Sequence, residues 1–353
     1  GESWRLNLGY TQQDAAAKTG AFKGEQINET PAWFISGMLE WTSPDRRPGP
    51  GRRSTGSQPR RPHGGCLMDM RTLLVGDVGG TNARFALAHM VEGRPVLDHH
   101  QSFPAERHPT FLKGVAAFLD GCAIKPTGGV IAVAGPVTDG QIDLTNSPWR
   151  VSEAELQTLG LKPVRLINDF EALAWGAPIV SADMLASLGG PAEGEPHSAI
   201  AVLGPGTGFG VSALARDIRG TEIAMPSEGG HACFAPGDAV EDEILRILRR
   251  RYDRVSIERL ICGPGLLNMH RALAEIDGRE SHIDDPSQIT KEALEDYDSP
   301  CGATLARFCA ILGAVAGDIA LTTGARGGVY IAGGIAPRIL PFLQASPFRE
   351  RFE

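Results

Sequence analysis

Thr72–Ala88 reads TLLVGDVGGTNARFALA: a short apolar run, a glycine pair at Gly79-Gly80, and a second apolar run. The pattern predicts a hairpin whose turn faces a ligand. Backbone N–H groups beside paired glycines can surround a phosphate without side-chain obstruction, which makes Gly76, Asp77, Val78, Gly79, Gly80 and Thr81 candidate phosphate-binding positions. A plain β-turn competes as a reading of the glycine pair alone. Asp77 repels a bare phosphate, so its place beside the turn makes most sense with a Mg²⁺ ion, held through water, between them.

Outward from this hairpin, Gly129–Ala134 and Val164–Ile167 read as buried strands, and Pro109–Asp120 and Phe170–Gly176 as helices, which makes the first lobe α/β. A second hairpin is predicted from Ala199–Leu203 and Phe209–Leu214. Helices follow near Ala239–Arg250, Gly265–Ile276, Ile289–Asp296 and Ala303–Thr322, then a strand at Gly328–Ala332. The hairpin device is used twice, so the architecture reads as duplicated, with lobes over 68–180 and 181–353. Residues 1–67 read as a disordered extension, because Ser43–Gly65 is an Arg, Pro and Gly tract unable to bury a core.

Gly204, Gly206, Thr207 and Gly208 form a second phosphate-cradle candidate; no helix follows directly, so the dinucleotide fingerprint does not apply. With Gly333 and Gly334 they suggest a three-part nucleotide pocket, and no Walker-type Gly-Lys-Ser/Thr motif is present. Asn168 and Asp169 fall where a strand gives way to a helix, at the carboxyl edge of a sheet, where a carboxylate can accept a hydroxyl proton during phosphoryl transfer. Helix capping is the bland alternative for both. Glu228 and His231 are separated by Gly-Gly, which disfavours the helix a metal pair would need and suits polyol hydroxyls instead. Glu258 adds a possible third contact, though a lone glutamate is more often a solvated surface charge.

The chain has 353 residues, 42% apolar and 22% charged, with a net charge of −8. That balance argues for two globular domains and against a general nucleic-acid or anionic-membrane surface, and no uninterrupted apolar run of spanning length is read. Six scattered cysteines without a C-x-x-C pair, and no secretory signal, are expected of a cytoplasmic protein with reduced thiols.

Taken together, LVGDVGGTNARFAL, LINDFEALA, LGPGTGFGVS, SEGGHACFAP, ERLICGPGLLN and GGVYIAGGIAPR resemble the bacterial glucokinase family of the actin, hexokinase and chaperone-ATPase superfamily, from about Met70 onward. The resemblance implies a two-lobed ribonuclease-H-like, actin-like ATPase fold with a central cleft closing on glucose, ATP and Mg²⁺ as cofactors, and a homodimer. It implies ATP at Gly76–Thr81 and Asp169 as general base. Asn168, Asp169, Glu228, His231 and Glu258 would hold the sugar, with Asn146 of LTNSPW as a weaker candidate. It also implies a further segment after Glu353 returning to the first lobe, and exposed apolar surface where that segment would pack. Another hexose as acceptor, and an inactive or regulatory ATP-binding homologue, are the alternatives.

Overall fold

A computed structural model describes residues 6–9, 72–91, 94–144, 147–180, 182–191, 193–217 and 220–353. These divide after Gly176 into two compact units. The short strand β1 (Leu6–Gly9) belongs to the second, so four residues of the stretch 1–67 pair into a sheet where no strand was expected. The rest of that stretch lies outside the described residues.

In the unit ending at Gly176, β2 (Leu73–Val78), β3 (Asn82–Val91) and β4 (Arg94–Pro104) form an antiparallel meander. Strand β5 (Gly128–Val133) joins β2 in parallel. All six of its residues are buried, as befits a parallel strand covered on both faces. A separate ribbon, β6 (Gln141–Asp143) with β7 (Arg150–Ser152), precedes β8 (Val164–Asn168), which completes the order β4-β3-β2-β5-β8. Helix α1 (Phe111–Asp120) begins at Thr110, whose side chain accepts the Lys113 N–H, and it buries Phe111, Val115, Phe118 and Leu119 on one face. Phe118 lies 5.5 Å from the Phe85 ring of β3, which ties helix to sheet. Helices α2 (Glu153–Gln157) and α3 (Asp169–Gly176) flank β8.

The second unit repeats the plan. After β9 (Leu185–Ser187), strands β10 (Ile200–Pro205), β11 (Phe209–Arg216) and β12 (Glu222–Ser227) form another meander. Four helices follow: α4 (Ala239–Leu248), α5 (Gly263–Ile276), α6 (Pro286–Glu295) and α7 (Pro300–Thr323). Strand β13 (Gly328–Ile331) then pairs parallel to β10 and β1, and α8 (Leu340–Ala345) and α9 (Phe348–Phe352) close the described chain. The sheet order is β12-β11-β10-β13-β1-β9. In each unit an antiparallel meander is extended by parallel strands, so the α/β, two-lobed ribonuclease-H-like reading holds.

Helix α7 corrects one expectation. Its 24 residues are long and apolar enough to cross a membrane, which the sequence reading denied, and 67% of the decisive window is buried inside the protein. The helix starts at a Ser299 cap with Pro300 behind it and stops at Gly324 in the left-handed conformation, φ 63°. Beside it, the fully buried Glu241 carboxylate accepts from the Gly237 N–H at 2.7 Å and from Arg307 and Arg351 at 2.9 and 3.2 Å, locking α4, α7 and α9 together.

Candidate active site

In the unit ending at Gly176, one row of the sheet aligns Val78 of β2 with Val133 of β5 and Asn168 of β8. Strands lie about 4.8 Å apart, so the glycine turn after Val78 and the Asn168-Asp169 pair share one sheet edge roughly 10 Å apart. A Cβ on Gly79 would meet only the Asn82 carbonyl, at 3.9 Å, an ordinary contact. Asn168 is engaged at both ends: its Oδ1 accepts from the Phe170 and Glu171 N–H groups at 2.9 and 3.2 Å, and its Nδ2 donates to the Gly135 carbonyl at 3.2 Å. The capping reading therefore holds for Asn168, whose remaining donor and acceptor capacity is what a ligand could use. Asp169 opens α3, and its Oδ1 accepts from the Phe170 N–H at 3.0 Å.

Two groups on this edge escaped the sequence reading. Arg84 reaches Asp77 at 2.5 Å, so Asp77 has a guanidinium partner. The hairpin register could have revealed it, because Asp77 and Arg84 stand directly opposite. The second is Glu171, in the first turn of α3. Burial pushes its carboxyl up, and hydrogen bonds from the Asn168 backbone and the Trp175 side chain partly offset this.

The second unit gathers the other candidates at one end of its sheet, where Leu203, Val211, Ser227 and Ile331 are in register. Three glycine segments meet there. Gly206 N–H donates to Gly208 O at 2.8 Å, Gly263 N–H to Gly206 O at 2.9 Å, and Ile335 N–H to Pro205 O at 3.1 Å, which draws Gly333-Gly334 against the turn. Gly334 has open space where a side chain would be, a Cβ on Gly206 would meet only the Gly208 carbonyl at 4.0 Å, and Gly333 adopts φ 83°. A cavity of about 200 Å³ opens beside Thr207, running past Glu258 and Pro264 to Asn268 and Arg271.

Glu228 and His231 follow β12, with 3.7 Å between Oε2 and Nε2, and both side chains are more than half exposed. Their loop meets the Glu258 loop through Ile257 N–H to Ala232 O at 2.9 Å. Glu258 is no free surface charge: its Oε2 accepts the Phe209 N–H at 2.8 Å, from the start of β11. Asn146 lies outside the described residues. Among the described residues no group of three or more His, Cys, Asp or Glu side chains could hold a metal ion.

Two glycine turns, each at the end of a sheet of matching plan, have carboxylates beside them, and the family model for glucokinase matches residues 74–353. The chain belongs to the glucokinase family. A glucokinase of Caulobacter vibrioides is 49% identical over 285 residues, covering 79% of this chain and 85% of the relative. One from Hahella chejuensis is 45% identical over 286 residues, covering 79% and 86%. Among solved structures, a glucokinase from an Antarctic psychrotroph matches with TM-score 0.74 at 36% identity, over 80% of this chain and 89% of that one. Glucokinase from Balamuthia mandrillaris in complex with glucose matches with TM-score 0.59 at 20% identity, over 79% and 86%, a likeness of fold. The family match begins inside β2 and so takes in both glycine turns and every candidate site residue from Gly76 to Gly334.

Proposed function

We propose that this chain transfers the terminal phosphoryl group of ATP to the 6-hydroxyl of glucose. The observation that carries the proposal is the shared sheet edge of the first glycine turn and Asp169: one holds a phosphate, the other accepts a proton, about 10 Å apart by strand spacing. Asp169 is the general base that takes the hydroxyl proton as the oxygen attacks phosphorus. Asn168, Glu228, His231 and Glu258 bind sugar hydroxyls, offering both donors and acceptors. Backbone N–H groups at the tips of the two glycine turns, Gly80-Thr81 and Thr207-Gly208, stabilise the charge on the phosphoryl group in flight, while Gly76–Val78 use theirs in the ladders of β2.

Asp77, its carboxylate shared with Arg84, would hold Mg²⁺ through water, since this ion takes one or two carboxylates with water and phosphate oxygens completing its shell. When bound it neutralises charge on the donor phosphates. Arg84, fixed to Asp77, adds a permanent positive charge at the same turn. The reading extends to a cytoplasmic homodimer acting at the entry of glucose into glycolysis. Five described cysteines, all free thiols, support the reducing compartment.

The test is ADP release with Mg-ATP and a panel of hexoses. Glucose should give a kcat/KM at least about tenfold above mannose, fructose and N-acetylglucosamine, the discrimination expected when hydroxyl-binding groups are left unpaired by the wrong sugar. Equal rates with all four, or none with glucose, would overturn the assignment.

A further inference from the structure

Asn268 is a buried amide, 7% exposed, on a helix whose neighbouring positions Leu266 and Met269 face the core. An amide in such a place must find partners for both ends. Its Nδ2 donates to the Arg259 carbonyl at 2.9 Å, and its Oδ1 accepts the Tyr252 hydroxyl at 3.2 Å. The Arg259 guanidinium lies 4.4 Å from the centre of the Tyr252 ring, holding the tyrosine over the same turn.

One residue earlier in that turn, the Glu258 carbonyl is held by the Cys262 thiol at 2.9 Å. The same sulfur accepts the Gly265 N–H at 3.3 Å and caps α5. Burial pushes the Cys262 thiol up to about 11, so it keeps its proton, and with it the bond to Glu258, through the neutral range. Consecutive carbonyls, those of Glu258 and Arg259, are thus clamped to α5. From the clamped turn the Glu258 side chain extends to the second glycine turn, where Oε2 takes the Phe209 N–H and lies 2.6 Å from where a Gly208 Cβ would stand. Oε1 makes no hydrogen bond among the described residues.

We propose that Asn268 is a positioning residue for glucose: by fixing the Ile257–Arg259 turn to α5, it aims Oε1 of Glu258 at a sugar hydroxyl while Oε2 stays on the Phe209 N–H. This rests on Glu258 as a sugar ligand, and deepens that reading. Both polar ends of Asn268 are taken, by the Tyr252 hydroxyl and the Arg259 carbonyl, so in this proposal its effect on the sugar passes through Glu258. A residue that merely stabilises the fold acts independently of Glu258.

The two cases separate in a double-mutant cycle on the full chain, with glucose affinity read by direct titration of tryptophan fluorescence. Asn268→Ala should weaken glucose binding about tenfold, and Glu258→Gln by a similar or larger factor, each being the loss of a well-aimed buried polar contact. In the Glu258→Gln background, Asn268→Ala should add less than about twofold, because the group it positions has already been spoiled. The KM for ATP should change less than about twofold in Asn268→Ala, and Tyr252→Phe, which removes only the hydroxyl, should weaken glucose about threefold and also lose its effect beside Glu258→Gln. Multiplying effects, or glucose affinity unchanged in Asn268→Ala, overturn the proposal. If Asn268→Ala does not fold, the Tyr252→Phe arm decides in the same way. Wild-type protein that binds no glucose, or Glu258→Gln that binds it normally, refutes the sugar site itself, an outcome distinct from additive effects in a chain that does bind.

Discussion

Gly204 and Gly206 stand two residues apart and should respond in opposite ways to the same change. A Cβ on Gly204 would collide with the Ala332 carbonyl and lie 2.8 Å from the Gly333 nitrogen, because β10 and the end of β13 approach there backbone to backbone. Gly204→Ala should therefore cost about 1–3 kcal/mol, the range for forced overpacking, seen as a fall in the thermal midpoint. A Cβ on Gly206 meets only the Gly208 carbonyl at 4.0 Å. Gly206→Ala should leave stability within about 0.5 kcal/mol, the usual limit for an uncrowded site, and raise the KM for ATP several-fold if that space receives phosphate. Unchanged ATP kinetics would remove the turn from the phosphate site. The sequence reads both glycines as one turn, but the structure puts Gly204 inside β10 and only Gly206 in the turn. Their division of labour was not legible in the sequence, because it depends on Ala332, far along the chain. The same holds for Glu258: its partner Phe209 is 49 residues away, and nothing local to a lone glutamate announces it.

At the scale of elements, α5 and α7 pack around a buried histidine that links fold to pH. His270 is 6% exposed, and its Nδ1 lies 2.9 Å from the Thr304 hydroxyl. Burial first, then the charge of Arg279 and, least of all, that of Arg271 hold its pKa below the usual 6.5, against an opposing pull from Glu292 that is weaker than that of Arg279. The unfolded chain thus binds the proton more readily than the folded one. The contribution is nil well above pH 6.5, and stability falls as pH drops through 6.5 toward the lower folded value, by at most about 1.4 kcal/mol per pH unit for one proton. Denaturant unfolding between pH 7.5 and 5.5 should show this slope, and His270→Gln should be flatter; equal slopes would assign the pH dependence elsewhere. The helices themselves were readable from apolar periodicity. Their starts were placed late, at Gly265 and Ala303 in place of Gly263 and Pro300, since glycine and proline in the first turn read as loop until the Cys262 and Ser299 caps are seen. Strands β4 and β12 went unread because they are sheet edges: β12 runs EIAMPS, with a proline and half its residues or more toward solvent.

For the whole molecule, duplication was the most legible feature, since each glycine turn sits between two apolar runs, and both units carry the same meander-plus-parallel sheet. Short-range pattern and fold agree there because hairpins are local. The placing of β1 in the second sheet was not legible, as it joins Leu6–Gly9 to a strand more than three hundred residues later, with no periodicity to signal it. The site was legible as residue types and loops, and illegible as a network, because the bonds that orient Asn168, Glu258 and Asp77 come from Gly135, Phe209 and Arg84. The account nevertheless turns on one group, Asp169 as the base for the sugar hydroxyl. The most direct measurement compares wild type with Asp169→Asn in glucose affinity and in single-turnover phosphoryl transfer from Mg-ATP. The account predicts glucose binding within about threefold of wild type and a transfer rate lower by about 10²- to 10⁴-fold, the scale of general-base catalysis; transfer at a near-normal rate in Asp169→Asn would contradict it.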